Sequence, residues 1–128
     1  MGRVALDSSV LIALINGNDL HHGAVYSRFE SEENVYELSA VALAETLVGP
    51  FEESLRRANE VKREVALVID SIEPVSEEVA VEAAKIRATS KLRIPDSMIS
   101  ASARLNGATL WTLDKKLAKA HKGAVLVA

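Results

Sequence analysis

Cysteine is absent from the 128 residues. Disulfide staples, thiolate zinc sites and a cysteine nucleophile are therefore excluded. Histidine is scarce, with only His21, His22 and His121, a thin supply for an imidazole metal centre. His21 and His22 are adjacent and would face different sides of a helix, so a helix start suits them better than a ligand pair. Two Phe, two Tyr and one Trp are too few for the stacking platforms that hold single-stranded nucleic acid. No apolar run approaches the ~20 residues needed to cross a bilayer. The first residues enter a strand pattern without a signal-peptide design, so a cytoplasmic chain is expected. The net charge is −3, which gives no global basic footprint for nucleic acid. Gly-rich phosphate loops are missing, and Ser8-Ser9 lacks the flanking glycines of a nucleophile elbow.

What is present is ordinary for a folded domain: 48% hydrophobic and 26% charged residues argue against disorder. One domain over residues 1–128 is expected. Short apolar runs at 4–6, 35–39, 108–112 and 124–127 read as strands, with a weaker one at 71–75 placed at a sheet edge by Pro74. Between them, helical patterns cover 8–15, 21–31, 40–48, a stretch opened by Pro50 and carrying Phe51 to Val68, 76–90, 95–106 and 114–121. Gly49-Pro50 is expected to end one helix and begin the next. Ala24, Val25, Phe29 and Tyr26 are expected to face inward. Alternating strands and helices imply an α/β fold with a parallel sheet covered on both faces. The carboxyl ends of its strands then share one rim.

Four acids stand in suggestive places. Asp7 follows the first strand and Asp114 the fourth, each just before a helix. Either could be a helix cap. Asp96 lies in the first turn of its helix, beneath Ile99 and Ala103, and its bland reading is a dipole partner. Glu45 has the weakest bland reading. It sits mid-helix among Val41, Ala42, Leu43, Ala44, Leu47 and Val48, where burial is expected and an unpaired carboxylate is costly. A salt bridge to Arg3 or Arg104 is the structural alternative. Together the four would repel one another without a cation. Their oxygens suit Mg²⁺ or Mn²⁺. Metal-assisted phosphodiester hydrolysis is the chemistry such a set performs, with no protein nucleophile required.

Asp7-Ser8-Ser9-Val10-Leu11-Ile12, Glu45 at the end of Ser39-Ala40-Val41-Ala42-Leu43-Ala44-Glu45, Pro95-Asp96-Ser97-Met98-Ile99-Ser100-Ala101-Ser102-Ala103 and Leu110-Trp111-Thr112-Leu113-Asp114 resemble the PIN-domain family in order and spacing. The likeness runs over essentially the whole chain. It is similar to the short VapC-type toxin ribonucleases of toxin–antitoxin pairs. The resemblance implies a three-layer α/β/α sandwich around a five-stranded parallel sheet. It also implies an Mg²⁺- or Mn²⁺-dependent endoribonuclease with Asp7, Glu45, Asp96 and Asp114 as metal ligands. Thr112 and Ser8 match the family's hydroxyls beside the last and first acids. A homodimer and an antitoxin partner that enters the site are implied as well. Two positions depart from the common pattern: Ser97, where Ala is usual, and Ser8, where Thr is frequent. Arg93, Lys115, Lys116 and Lys119 are candidate phosphate holders, against the bland reading that they are simply solvated.

Two rivals remain. A phosphoacceptor signalling domain is also a small parallel α/β fold, but it needs paired acids after its first strand, and Asp7 is followed by Ser8 and Ser9. A non-catalytic binding module on the same fold is the other, and the presence of all four acids argues against it.

Overall fold

The computed structural model describes residues 2–128. The elements run β1 (Gly2–Leu6), α1 (Ser8–Ile15), α2 (His22–Ser31), β2 (Asn34–Ser39), α3 (Ala40–Glu53), α4 (Leu55–Val68), β3 (Ser71–Glu73), α5 (Glu77–Ser90), α6 (Ile94–Leu105), β4 (Thr109–Thr112), α7 (Lys115–Ala120) and β5 (Val125–Leu126). All strand pairs are parallel, in the order β3-β2-β1-β4-β5. The chain moves outward from β1 to β3, then jumps back to β4 on the other side of β1. The gap between β1 and β4 is thus the topological switch point, where open α/β sheets bind ligands outside the carboxyl ends of their strands.

Alternation along β2 shows the layers. Tyr36 points to one face, where its ring lies 4.9 Å from Phe29 of α2 and 5.7 Å from Trp111 of β4. Glu37, the next residue, points to the other face and meets Asn106 at the end of α6. Helices therefore cover both sides, and the strands are apolar because neither face is wet. Val4, Leu6, Leu38, Leu110 and Trp111 are buried at the centre. Val10, Leu11, Ala13 and Leu14 of α1 pack against them, as an all-round apolar helix must.

Three expectations are corrected. Gly49-Pro50 does not break the helix: α3 runs on to Glu53, and the break falls at Ser54, whose hydroxyl oxygen accepts the Arg57 N–H at 3.0 Å and caps α4. Proline removes one helical donor but need not end a helix when a good cap follows one turn later. Second, α3 is not buried all round, since Val48 and Phe51 are more than half exposed, as is Leu55 at the start of α4. Third, Ala24 and Tyr26 of α2 face solvent, leaving Val25 buried and Phe29 partly so. A ten-residue helix lying on one face of the sheet needs only a narrow apolar stripe.

Candidate active site

Asp7 ends β1 and caps α1, so both the bland and the functional reading of it describe the same side chain. Its Oδ1 accepts the Val10 N–H at 2.9 Å and the Ser9 hydroxyl at 2.6 Å. Its Oδ2 accepts the Thr112 hydroxyl. Its own N–H donates to the Trp111 carbonyl at 3.2 Å, stitching the ends of β1 and β4. Asp7 is buried, and this pushes its carboxyl pKa up; the hydrogen bonds from Ser9, Thr112 and Val10 oppose the shift, while the nearby charge of Asp114 adds to it.

Thr112 joins two acids. Besides bonding Asp7, its oxygen accepts the Asp114 N–H at 2.9 Å. Asp114 caps α7 by accepting from Lys116 N at 2.8 Å and Leu117 N at 3.3 Å, all with Oδ1. Ser9 makes a second bridge across the switch point, since its oxygen also accepts the Leu113 N–H at 3.2 Å. From sequence Ser9 is a possible helix cap in place of Asp7; in the structure Asp7 is the cap and Ser9 braces it.

Glu45 reaches the site from the neighbouring crossover. Ser39 ends β2 and caps α3, and Glu45 follows nearly two turns along that helix. The Ser8 hydroxyl, in the first turn of α1, donates to Glu45 Oε1 at 3.1 Å. Glu45 is half-buried rather than enclosed, because α3 keeps one face open. It borders a groove of about 390 Å³ between α1, α3 and α4, floored by Ile12, Ile15, Pro50 and Val61. Neither proposed ion-pair partner reaches it. Arg3 Nε lies 2.5 Å from Glu37 Oε1, and Arg104 donates to the Ala120 carbonyl at 3.5 Å.

The deeply buried acid is Glu37, not Glu45. Only 1% of its side chain is exposed. Asn106 Nδ2 donates to Glu37 Oε2 at 2.8 Å and to Glu73 Oε1 at 2.7 Å, and Arg3 closes the group from the edge. These contacts do not involve Asp7 and tie the end of α6 to β1, β2 and β3. The same sequence signal, an acid inside an apolar run, stood at both positions.

Asp96 stands in the first turn of α6 and its partner is Arg93, whose Nε and terminal nitrogen lie 3.4 and 3.3 Å from Oδ2. No hydrogen bond or ion pair among the described residues ties Asp96 to the other three acids. Ser97, the departure beside it, is fully buried and directs its hydroxyl at the Leu92 carbonyl, at 3.5 Å. Lys115, Lys116 and Lys119 are exposed and form no ion pair with Asp114.

The structure thus brings Asp7, Thr112 and Asp114 together, links Ser8 to Glu45, and gives Asp96 the Arg93 side chain as its partner. Among the described residues, no three Asp, Glu or His side chains already converge as a ligand set for one ion. The donor chemistry nevertheless fits a hard divalent cation. All four are carboxylates, and among the described residues no cationic side chain pairs with Asp7, Glu45 or Asp114. Asp7 is buried and held only by hydroxyls and a backbone N–H, so a cation bound beside it would favour its charged form.

Residues 4–123 match the model of the PIN domain, and the chain belongs to the PIN domain family. Solved structures of the same fold include VapC20 of Mycobacterium tuberculosis, described as a sarcin-ricin loop cleaving toxin. It is 22% identical with a TM-score of 0.80, over 97% of this chain and 98% of that one. A toxin–antitoxin complex from Klebsiella pneumoniae is 23% identical with a TM-score of 0.79, over 95% of each chain. VapBC2 from Rickettsia felis, bound to a DNA fragment from its promoter, is 18% identical with a TM-score of 0.74, over 96% of each. Comparison with curated proteins gives no significant sequence match. Among the described residues, no helix is long and apolar enough to cross a membrane.

Proposed function

We propose that this chain is a metal-dependent endoribonuclease and the toxin of a toxin–antitoxin pair, folded as one PIN domain over residues 1–128. Its site is built from Asp7, Glu45, Asp96 and Asp114. The observation that carries the reading is Asp7, a buried carboxylate at the switch point with hydrogen-bond donors but, among the described residues, no counter-cation. Membership of the PIN family and the toxin neighbours support it.

The four carboxylates would hold Mg²⁺ or Mn²⁺, whose Lewis acidity polarises water and the scissile phosphate. The chain's own residues do the rest. Thr112 and Ser9 lock the Asp7 carboxylate in one rotamer, so little ordering remains to be done when the site fills. Ser8 aims Glu45 toward the same rim. Burial of Asp7 keeps bulk water from one side of the site and strengthens its field. No side chain need become covalently attached to the substrate, in keeping with the absence of cysteine.

A homodimer, an antitoxin partner and a cytoplasmic location belong to the same reading. The groove beside Glu45, lined by apolar residues together with Glu53 and Arg57, would give an antitoxin segment a path to the site. The direct test is incubation of the purified chain with cellular RNA and Mg²⁺ or Mn²⁺. Cleavage should appear, be abolished by EDTA, and be lost in Asp7→Asn and Asp96→Asn. Intact RNA with both metals, from folded protein, rejects the reading.

A further inference from the structure

Among the described residues, Arg93 is the one cation that pairs with any of the four acids. Its side chain is 70% exposed, while the Asp96 side chain it pairs with is only 13% exposed. Both of its donors go to Oδ2, which leaves Oδ1 free. Arg93 occupies the N-cap position of α6 without making a side-chain cap bond, so its side chain has no capping duty. An exposed pair of this kind adds little to stability.

Its backbone, by contrast, is firmly placed. Lys91 takes a left-handed conformation at φ 61° and turns the chain out of α5. Leu92 is then buried in the core, and its carbonyl accepts Arg87 at 3.0 Å. Arg93's own carbonyl accepts the Ser97 N–H at 2.9 Å. An anchored backbone that carries a loosely held, solvent-facing guanidinium suits a side chain that changes partner.

We infer that Arg93 is the site's exchangeable counter-cation: it covers Asp96 in the ion-free chain, yields it when a divalent ion binds, and then holds a phosphate of the RNA. The inference rests on the metal-dependent reading of the site. A cation on Asp96 Oδ2 and a metal ion on the same carboxylate compete for its charge. Once displaced, the guanidinium remains tethered within a few ångströms of Asp96, and its planar fork matches phosphate oxygens. The acidic chain thereby gains one positive group at the rim only when the site is loaded.

The test uses the full chain and two readouts. The first is calorimetric titration with Mn²⁺ in the absence of RNA, for wild type, Arg93→Gln and Arg93→Lys. Arg93→Gln should bind Mn²⁺ about two- to fivefold more tightly, the range an exposed ion pair commands, and Arg93→Lys should fall between. The second is the kinetics of RNA cleavage at saturating Mn²⁺. Arg93→Gln should raise KM, leave kcat within about twofold, and reduce the salt dependence of kcat/KM by about one phosphate contact. Unchanged metal affinity or unchanged KM in folded Arg93→Gln overturns the inference while leaving the site's assignment intact. A wild-type chain that binds no Mn²⁺ removes both together.

Discussion

Thr112 donates its hydroxyl to Asp7 and accepts the backbone N–H of Asp114. One small side chain at the end of β4 thus joins the acid that ends β1 to the acid that opens α7. The two strands are neighbours only because the chain reverses its direction of travel across the sheet between β3 and β4.

Thr112→Val keeps the shape and removes the hydroxyl. The Asp7 carboxylate loses a donor and the Asp114 N–H loses its acceptor, both in a mostly buried place. Stability should fall by about 1–3 kcal/mol, read by urea denaturation without added metal, and RNA cleavage should fall with it. Thr112→Ser retains the hydroxyl and should recover most of both. Equal stability of the two variants would refute the bridge.

Asp7→Asn separates stability from function. The folded-state pKa of Asp7 is raised by burial, so the folded chain binds the proton more readily than the unfolded one. Its contribution to stability is therefore favourable below the unfolded carboxylate range and is lost as pH rises through the raised folded value. At neutral pH without metal the charge is a burden. Asn caps a helix as well as Asp does. Asp7→Asn should then melt no lower than wild type at pH 7 without metal, and its advantage should shrink toward pH 4. The melting gain on adding Mn²⁺, seen in wild type, should disappear. A lower melting temperature across the whole pH range contradicts this account.

Glu45→Gln and Glu37→Gln should part company. Glu45 is partly buried, its partner is the Ser8 hydroxyl, and among the described residues no cation pairs with it. Its replacement should change metal-free stability by no more than about 0.5 kcal/mol while removing cleavage. Glu37→Gln leaves the Asn106 amide facing another amide in the buried group beside α6 and should cost about 1–3 kcal/mol. Arg3 can recover water at the edge, so the ion pair itself adds little to that loss. Cleavage per folded molecule should survive. Chemical denaturation and activity measured side by side distinguish the two acids.

His121 supplies a pH dependence away from the acids. It is buried at the end of α7, with Nδ1 2.6 Å from the Ser100 hydroxyl of α6. Burial, and to a lesser degree Arg104, hold its pKa below the ordinary histidine value. The neutral ring's contribution is complete above about pH 6.5 and is lost as pH falls through the lowered folded value. The stability difference between wild type and His121→Gln should be flat above pH 7 and narrow below pH 6. A difference independent of pH from 5 to 8 would mean the ring titrates normally.

Much of this molecule was legible in order along the chain. Apolar runs of strand length, helices between them, and an acid after the first and fourth strands gave the parallel α/β fold and two of the site's carboxylates. The Gly49-Pro50 pair misled because a helix boundary depends on the cap that follows it, here Ser54, more than on the residue that disfavours continuation. Glu45 and Glu37 could not be ranked, because both are acids within apolar runs. Which one is paired depends on Arg3 and Asn106, 34 and 69 residues away from Glu37.

The sequence by itself determined the period of each segment, the capping chemistry of Asp7 and Asp114, and the supply of oxygen ligands in place of sulfur or imidazole. Those are local matters, set by spacing and by the chemistry of single side chains. Only the tertiary structure decided which acids share a place. Strand order put β1 beside β4, so Asp7 met Thr112 and Asp114 across 105 residues of chain. The same packing gave Arg3 to Glu37 rather than to Glu45. Partnership between distant side chains is a property of sheet order and layer packing, which no local pattern encodes.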